Sequence, residues 1–395
     1  MSELPQPYWF DRSVVTREAD VLVVGGGIVG LSTAYWAAKS GLDVLVLEGD
    51  RIGLGATGRS TGFLVTGSLI PFPALERSVG RKSALAWWEL SRENAFRLRE
   101  EILESAPGAV DWRPEGSWRT ARAGSQLEAE WERTAVTLSA EGFAVGWRPS
   151  AETRAASGGE ILGGSLFVDG DGGFDPLSLC RALVERGGFR VERGARVRHL
   201  TPDGDGVRAE WAGGGARARR LVLAVNAQIA PLAPGLADRV SPWSVQALAT
   251  RPVAQRLPGL WVISGEDVTV RQLADGTVVA AGGGPSVRGG ESGFLELPTA
   301  GGQAELEQRL RAVFPRLAGS VVSRWAGTVA RTTTQLPLVG IHPDLPAVAY
   351  ASGFGGQGLS LAFALGKRLA DWLGDREPGL GTLFGSEVVM AVPEV

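Results

Sequence analysis

A short β-branched run near the start of the chain, Asp20 to Val24, passes directly into Gly25-Gly26-Gly27-Ile28-Val29-Gly30. An apolar run this short, stopped by glycine, reads as a parallel strand buried on both faces. Residues Ile28 to Ser40 then have helical character, with Ala34, Ala37 and Ala38 small enough for close packing on a sheet and Gly41 in the position of a C-cap. A second strand, Asp43 to Leu47, ends at Glu48, roughly 20 residues past the glycines. Strand, loop, helix, strand and acid together form a dinucleotide-binding unit. Gly25 makes the tight turn, Gly27 lets the backbone approach a diphosphate, and Gly30 lets the helix lie on the strand. The helix N-terminus at Ile28 and Val29 then holds the anion. Glu48 repels a 2′-phosphate, which argues against NADP despite nearby Arg51.

Composition narrows the chemistry further. With 395 residues the chain has room for two cores. A net charge of −3 supplies no basic field, so nucleic acid is not the expected partner. The first apolar run, Val21 to Val24, is too short for a signal peptide, and no run approaches the roughly 18 residues of a membrane span; a cytoplasmic protein is expected. Cys180 is the only cysteine, and His199 and His342 lack ligand spacing, so no metal site is expected. Redox chemistry must come from a bound organic cofactor.

Two further segments identify that cofactor. Arg51-Ile-Gly-Leu-Gly-Ala-Thr-Gly-Arg-Ser-Thr-Gly-Phe63 is polar and glycine-rich where a simple NAD domain returns to alternating helices and strands. FAD is longer than one βαβ unit covers, and a second small-residue segment is what its flavin end needs. Towards the other end, strand-like Ala347 to Ala351 runs into Gly353-Phe-Gly-Gly-Gln-Gly358 and an amphipathic helix from Leu359 to Leu373. A helix N-terminus there is suited to the negative charge that reduced flavin develops.

Ala19 to Phe63, Trp325-Ala-Gly-Thr-Val-Ala-Arg-Thr-Thr-Thr-Gln-Leu-Pro-Leu-Val-Gly340 and Gly353 to Leu359 carry a family resemblance. Together they resemble the D-amino-acid oxidase superfamily of FAD enzymes, and within it the glycine oxidase, sarcosine oxidase and γ-glutamylputrescine oxidase branch. The opening Pro7-Tyr-Trp-Phe10 and Arg51 to Arg59 are similar to the last of these. Gly170 to Leu177, Val222 to Ala227, Val245 to Thr250 and Val270 to Gly276 extend the resemblance along the chain.

The implied fold is α/β: a Rossmann-like FAD-binding domain assembled from discontinuous segments, 14–75, 155–235 and 325–390, plus an α+β substrate domain, 76–154 and 236–324, built on an antiparallel sheet. That sheet draws on Trp118 to Ala123, Val245 to Pro252, Leu260 to Ile263, Val268 to Leu273 and Thr277 to Ala281, with a hairpin at Asp275-Gly276. Helices are expected near Ser83 to Glu104 and Gln303 to Val313, and a further buried parallel strand from Leu221 to Val225. The residues expected against the cofactor are Gly25, Gly27, Ile28, Val29 and Gly30 in the first loop; Glu48, Gly49 and Arg51 after the second strand; Ala56, Thr57, Arg59, Ser60, Thr61 and Gly62 in the second segment; Val197 and Asn226; and Gly353, Gly355, Gly356, Gln357, Gly358 and Leu359 at the last helix.

The implied reaction is oxidation of the carbon–nitrogen bond of a small amine or amino acid, by hydride transfer to flavin N5, with oxygen or another acceptor taking the electrons. An amino-acid substrate calls for a guanidinium fork, and Arg271 and Arg331 are the candidates. The corresponding arginine of glycine oxidases falls slightly earlier, near Val329, and Thr334 replaces the acid of the family's Thr-Pro-Asp. Lys39, Lys82 and Lys367 all lie in helices outside the sheet, away from the place of the oxygen-activating lysine of sarcosine oxidases. Gly327 occupies the neighbourhood of those enzymes' attachment cysteine, so the FAD is expected to be non-covalent. A 2-hydroxyacid or glycerol-phosphate type dehydrogenase, and a flavin-binding subunit of a larger redox complex, are the alternative readings.

Overall fold

In a computed structural model of the chain, which describes residues 15–105, 108–282, 293–294 and 296–376, the opening strand Val21–Val24 lies inside a six-stranded sheet. The aromatic opening at Pro7 to Phe10 and the end of the expected cofactor segment, 377–390, fall outside the described residues. Across the sheet the order is Leu338–His342, Leu345–Ser352, Arg220–Leu223, Val21–Val24, Val44–Glu48 and Arg190–Arg193, parallel throughout except at the Leu338–His342 edge. Alternate side chains serve two different cores. Val21, Val23, Val44 and Val46 pack on helices Ile28–Lys39, Pro176–Gly187 and Gly358–Leu373, while Leu22, Val24, Leu45 and Leu47 pack on a second sheet. With both faces covered, these strands read as continuous apolar runs.

The second sheet has four strands, ordered Val15–Glu18, Gly214–Ala218, Gly206–Trp211 and His199–Asp203. Sequence reading did not anticipate it. Its strands are short, and His199–Asp203 and Gly206–Trp211 are half-exposed, so they lack the dense apolar signature that marks the others.

An eight-stranded sheet forms the other half: Val321–Arg331, Ser241–Thr250, Val278–Gly282, Val268–Gln272, Leu260–Ile263, Ser117–Arg122, Leu162–Val168 and Gly146–Arg148 in order. It is mixed rather than purely antiparallel, because Leu260–Ile263 runs parallel to Ser117–Arg122. Those two strands are joined by a long excursion, so no tight hairpin imposes opposite directions. The hairpin at Asp275-Gly276 is present, with Gly276 at φ +91° and the Thr277 amide donating to Asp275 Oδ1 at 2.8 Å.

Segment boundaries also differ from expectation. Leu162–Val168, placed by sequence with the cofactor segments, pairs instead with Ser117–Arg122. Val321–Arg331, divided by the expected boundary at 325, is one continuous edge strand paired along its length with Ser241–Thr250. Local sequence pattern identifies a strand but does not state its partner. The expected helix at Ser83 starts earlier, at Phe72, turns at Gly80 (φ +77°) and runs to Leu98 before a π-helical turn, Arg99–Leu103.

Helices Ile28–Lys39 and Gly358–Leu373 pack through Gly366, where a Cβ would lie 2.7 Å from Ser32. No rotamer change of a long side chain relieves that contact, because backbone atoms of Ser32 are at the same distance. The variant Gly366→Leu is expected to cost about 1–3 kcal/mol of stability by overpacking. Chemical denaturation measures this; an unchanged unfolding midpoint would show that the helices separate freely.

Candidate functional site

Because the strands of the six-stranded sheet are parallel and in register, Val24, Glu48, Leu223 and Ser352 end at one edge. Ligands of such sheets sit outside that edge. Gly25 takes φ +111°, and a Cβ on Gly30 would overlap the Gly25 carbonyl oxygen, so the helix lies directly on its strand. The helix begins with Gly27 as N-cap, without a side-chain cap and without an acidic residue in its first turn. Its first N–H groups therefore form a positive, poorly satisfied end. One is taken: the Ile28 amide donates to Thr57 Oγ1 at 3.0 Å.

Glu48 faces this loop. Its Oε2 accepts from the Gly26 amide at 2.6 Å and its Oε1 from the Asp50 amide at 2.7 Å. A carboxylate has about four acceptor sites, so capacity remains for ribose hydroxyls. Gly49 packs against Arg196, the Ala195 amide donates to the Glu48 carbonyl at 2.9 Å, and buried Val197 follows on the same side. Arg51 is exposed, with Asp50 4.0 Å away.

The second glycine-rich segment clasps the first. Besides Thr57, the Gly53 amide donates to the Gly26 carbonyl at 2.9 Å, and Ala56–Arg59 forms a single helical turn. Arg59 is engaged with protein acceptors: its guanidinium donates to the carbonyls of Leu54, Glu296 and Ala326 and to the Glu296 carboxylate. It ties the segment to the long edge strand, and a Cβ on Gly327 would lie 2.9 Å from Arg59 Cβ. Ser60 donates to the Thr57 carbonyl at 2.8 Å, Thr61 is half-buried, and Gly62 (φ +74°) packs against the Phe174 carbonyl.

The third segment arrives beside the first. Gly353, Gly355 and Gly356 all have positive φ, and a Cβ on Gly355 or Gly356 would meet no atom within 4 Å. These glycines line open space, and their backbone geometry is closed to other residues without strain. Helix Gly358–Leu373 also starts without a side-chain cap or a first-turn acid. A Cβ on Gly358 would lie 3.9 Å from Ile28 Cγ2, so the two bare helix ends open side by side. Asn226 (φ +50°) sits between them, its carbonyl accepting from Ser352 Oγ at 2.8 Å. Leu359 is buried, and Gln357 holds the Leu69 amide and the Gly67 carbonyl.

Facing these loops is one side of the eight-stranded sheet. Register places Arg271 with Val279 and Ala249, Thr269 with Ala281 and Ala247, Val245 with Gly327, Trp243 with Val329, and Ser241 with Arg331. Thr269, Val279, Ala281, Val245, Trp243 and Val329 are half-exposed, whereas Val268, Val270, Val278 and Ala280 of the other side are sealed in a separate core. On the open side Leu260 and Val262 meet Phe63 and Val65 of the second segment. The wall is mostly apolar; Arg271 and Arg331, the two arginines singled out in the sequence, lie on it, as does fully buried Arg119 opposite Val262.

The two arginines differ. Arg271 is 9% exposed, its Nη1 donates to the Gly62 carbonyl at 3.1 Å, and its Nε is buried without a partner. Burial lowers its pKa, countered by the charges of Asp111, Glu115 and Asp175. Arg331 is half-buried, lies over the Trp243 ring at 5.2 Å, and has no hydrogen-bond partner among the described residues. Burial lowers its pKa as well, countered by Asp267. It follows Ala330, whose carbonyl accepts the Gly355 amide at 2.8 Å. Sequence reading missed Trp243, and it missed a buried ion pair, Arg119 and Asp171, beneath the second segment. A charged residue at the centre of the otherwise uncharged register of Trp118 to Ala121 was the available signal.

Two uncapped helix ends, open glycines and a carboxylate with spare acceptor sites fit the diphosphate, ribose and flavin of FAD, and with the facing wall they define an FAD-dependent oxidoreductase. The chain belongs to the DAO family, described as FAD dependent oxidoreductase, whose model matches residues 20–372. It is 27% identical over 397 residues to the γ-glutamylputrescine oxidoreductase of Escherichia coli, covering 93% of this chain and 87% of that protein. To the glycine oxidase of Bacillus licheniformis it is 26% identical over 368 residues, covering 90% and 93%. The crystal structure of glycine oxidase from Geobacillus kaustophilus superposes with a TM-score of 0.76 at 22% identity, covering 96% of this chain and 100% of that one. Among the described residues no helix is long and apolar enough to cross a membrane, and no cluster of ligating side chains is arranged to hold a metal ion.

A Cβ on Gly27 would lie 3.3 Å from Thr57 Oγ1, the acceptor for the Ile28 amide. Gly27→Val is therefore expected to yield folded protein with little flavin, read as the ratio of visible to ultraviolet absorbance. Normal flavin content in that variant would remove the diphosphate from this loop.

Proposed function

We propose that the chain oxidises the carbon–nitrogen bond of a small amino acid, with Arg331 holding the carboxylate. The supporting observation is the state of Arg331: a guanidinium without an acceptor among the described residues, at the end of an apolar wall and one residue from the Gly355 contact. Burying part of a cation without an acceptor is unfavourable, and a planar carboxylate matches its fork. Arg271 is already committed to Gly62 and is assigned to support the second segment.

When bound, the flavin supplies a two-electron acceptor for the hydride leaving the carbon next to nitrogen. The chain's own part is orientation and exclusion of water. Trp243, Val245, Val279 and Val329 form the apolar surface for the substrate body. No imidazole among the described residues serves as base: His342 is buried against the Leu232 carbonyl, and His199 is exposed on the four-stranded sheet. Lys39 and Lys367 are paired with Glu101 and Asp371, and Lys82 is exposed on a distant helix. The amine must therefore arrive neutral. The cofactor is held non-covalently: Cys180 is buried with its thiol pushed up to about 12 by desolvation, and Gly327 is filled by Arg59.

Under nitrogen, a panel of amino acids, amines and 2-hydroxyacids should bleach the flavin fastest with an amino acid. Arg331→Met should lower kcat/KM for that substrate about 100-fold, the scale of losing charge-assisted hydrogen bonds, and should leave a carboxylate-free amine unaffected. Equal bleaching by a 2-hydroxyacid would change the assigned bond. Acid precipitation of the holoprotein should release all its FAD into the supernatant; yellow pellet would show a covalent link.

A further inference from the structure

The segment Val65 to Leu69 leaves the two-stranded ladder formed by Phe63–Leu64 and Gly172–Gly173, and side chains from three directions take over its backbone. The Val65 amide donates to Ser360 Oγ at 3.0 Å, and the Gly67 amide to Ser91 Oγ at 2.6 Å. Gln357 accepts from the Leu69 amide at 3.2 Å and donates to the Gly67 carbonyl at 2.9 Å. Thr66 is held at both of its peptide groups by one ion pair: its amide donates to Asp171 Oδ1 at 2.7 Å, and its carbonyl accepts from Arg119 Nη2.

That pair is fully buried, with Arg119 Nη2 3.2 Å from Asp171 Oδ2 and Ser117 Oγ donating to the same oxygen at 2.6 Å. Arg119 Nε and Nη1 are buried without partners, and its guanidinium lies 5.4 Å from the centre of the Trp88 ring. Apolar residues of similar volume often serve stability as well as a buried ion pair or better. What they cannot do is satisfy an amide and a carbonyl of one residue that no ladder reaches. The pair's distinctive work is therefore geometric.

We infer that Arg119 and Asp171 are positioning residues, clamping Thr66 so that Val65–Leu69 holds Gln357 and Ser360, and with them the N-terminal turn of the last helix, in the place that receives the flavin. The inference rests on the FAD reading given above. It links the substrate sheet, through Arg119, to the cofactor helix, through Gln357, without either arginine or acid touching cofactor or substrate.

The double variant Arg119→Met/Asp171→Leu, purified as holoprotein, separates geometry from stability. Its thermal midpoint is expected to fall, because the Thr66 amide and carbonyl lose their partners, while FAD leaves about tenfold faster, read as rising flavin fluorescence on dilution, and the visible flavin bands shift. Wild-type release and spectrum would overturn the assignment. Faster release with wild-type flavin bands would overturn it too, since general loosening then suffices. If the double variant does not fold, Arg119→Lys decides: it keeps the buried cation but loses the fork that reaches both Asp171 and Thr66. Accelerated release with shifted flavin bands supports the clamp, and wild-type release rejects it. A wild-type chain that never retains FAD would defeat the cofactor reading itself, whereas a native-like variant defeats only the clamp.

Discussion

The contact between Gly30 and the Gly25 carbonyl sets the distance from helix Ile28–Lys39 to its strand. Any side chain at Gly30 would lift the helix, and with it the N–H groups that face the diphosphate position. The same height brings Ser32 against Gly366, which aligns helix Gly358–Leu373 beside the first. Both helix ends then open at the carboxyl edge of the sheet, where Glu48 already holds the Gly26 amide. A cofactor too long for one unit needs two anchor points at a set separation, and this packing supplies it.

The cofactor half was legible because its signals are local. Gly25 to Gly30, the following helix and Glu48 lie within one supersecondary unit, and each residue's task follows from the backbone near it. The substrate wall was not legible in that way. Trp243, Val279 and Arg331 share a face only because of strand register, and a shift by one residue would send each to the opposite side. Strand existence could be read from Val268 to Leu273; its neighbours could not. The four-stranded sheet was missed for a related reason, since half-exposed strands such as His199–Asp203 carry little apolar patterning.

Arg59 has a structural task that its sequence pattern did not state. Its position in the second glycine-rich segment suggested cofactor contact, yet its guanidinium donates to carbonyls of Leu54, Glu296 and Ala326. By joining the segment to the strand that ends at Arg331, it relates the cofactor side of the cleft to the wall opposite.

Three arginines on one face of the eight-stranded sheet thus divide according to what their forks already hold. Register puts Arg119 opposite Val262 and Arg271 opposite Leu260, so both lie on the side that meets Phe63 and Val65, and each donates to a backbone carbonyl there, Arg119 to Thr66 and Arg271 to Gly62. Arg331, at the far end of the same face, lies over the Trp243 ring and has no hydrogen-bond partner among the described residues. An arginine with a protein carbonyl has part of its donor set satisfied and is held in one rotamer. An arginine resting on a tryptophan keeps its donors for a ligand while the ring limits its motion, since a guanidinium stacks on an indole without consuming its N–H groups. Of the two arginines singled out in the sequence, burial alone would have ranked Arg271 ahead of Arg331 as the anion-binding group. Counting the donors still uncommitted among the described residues ranks Arg331 ahead of Arg271, and on that ground we assign it the carboxylate.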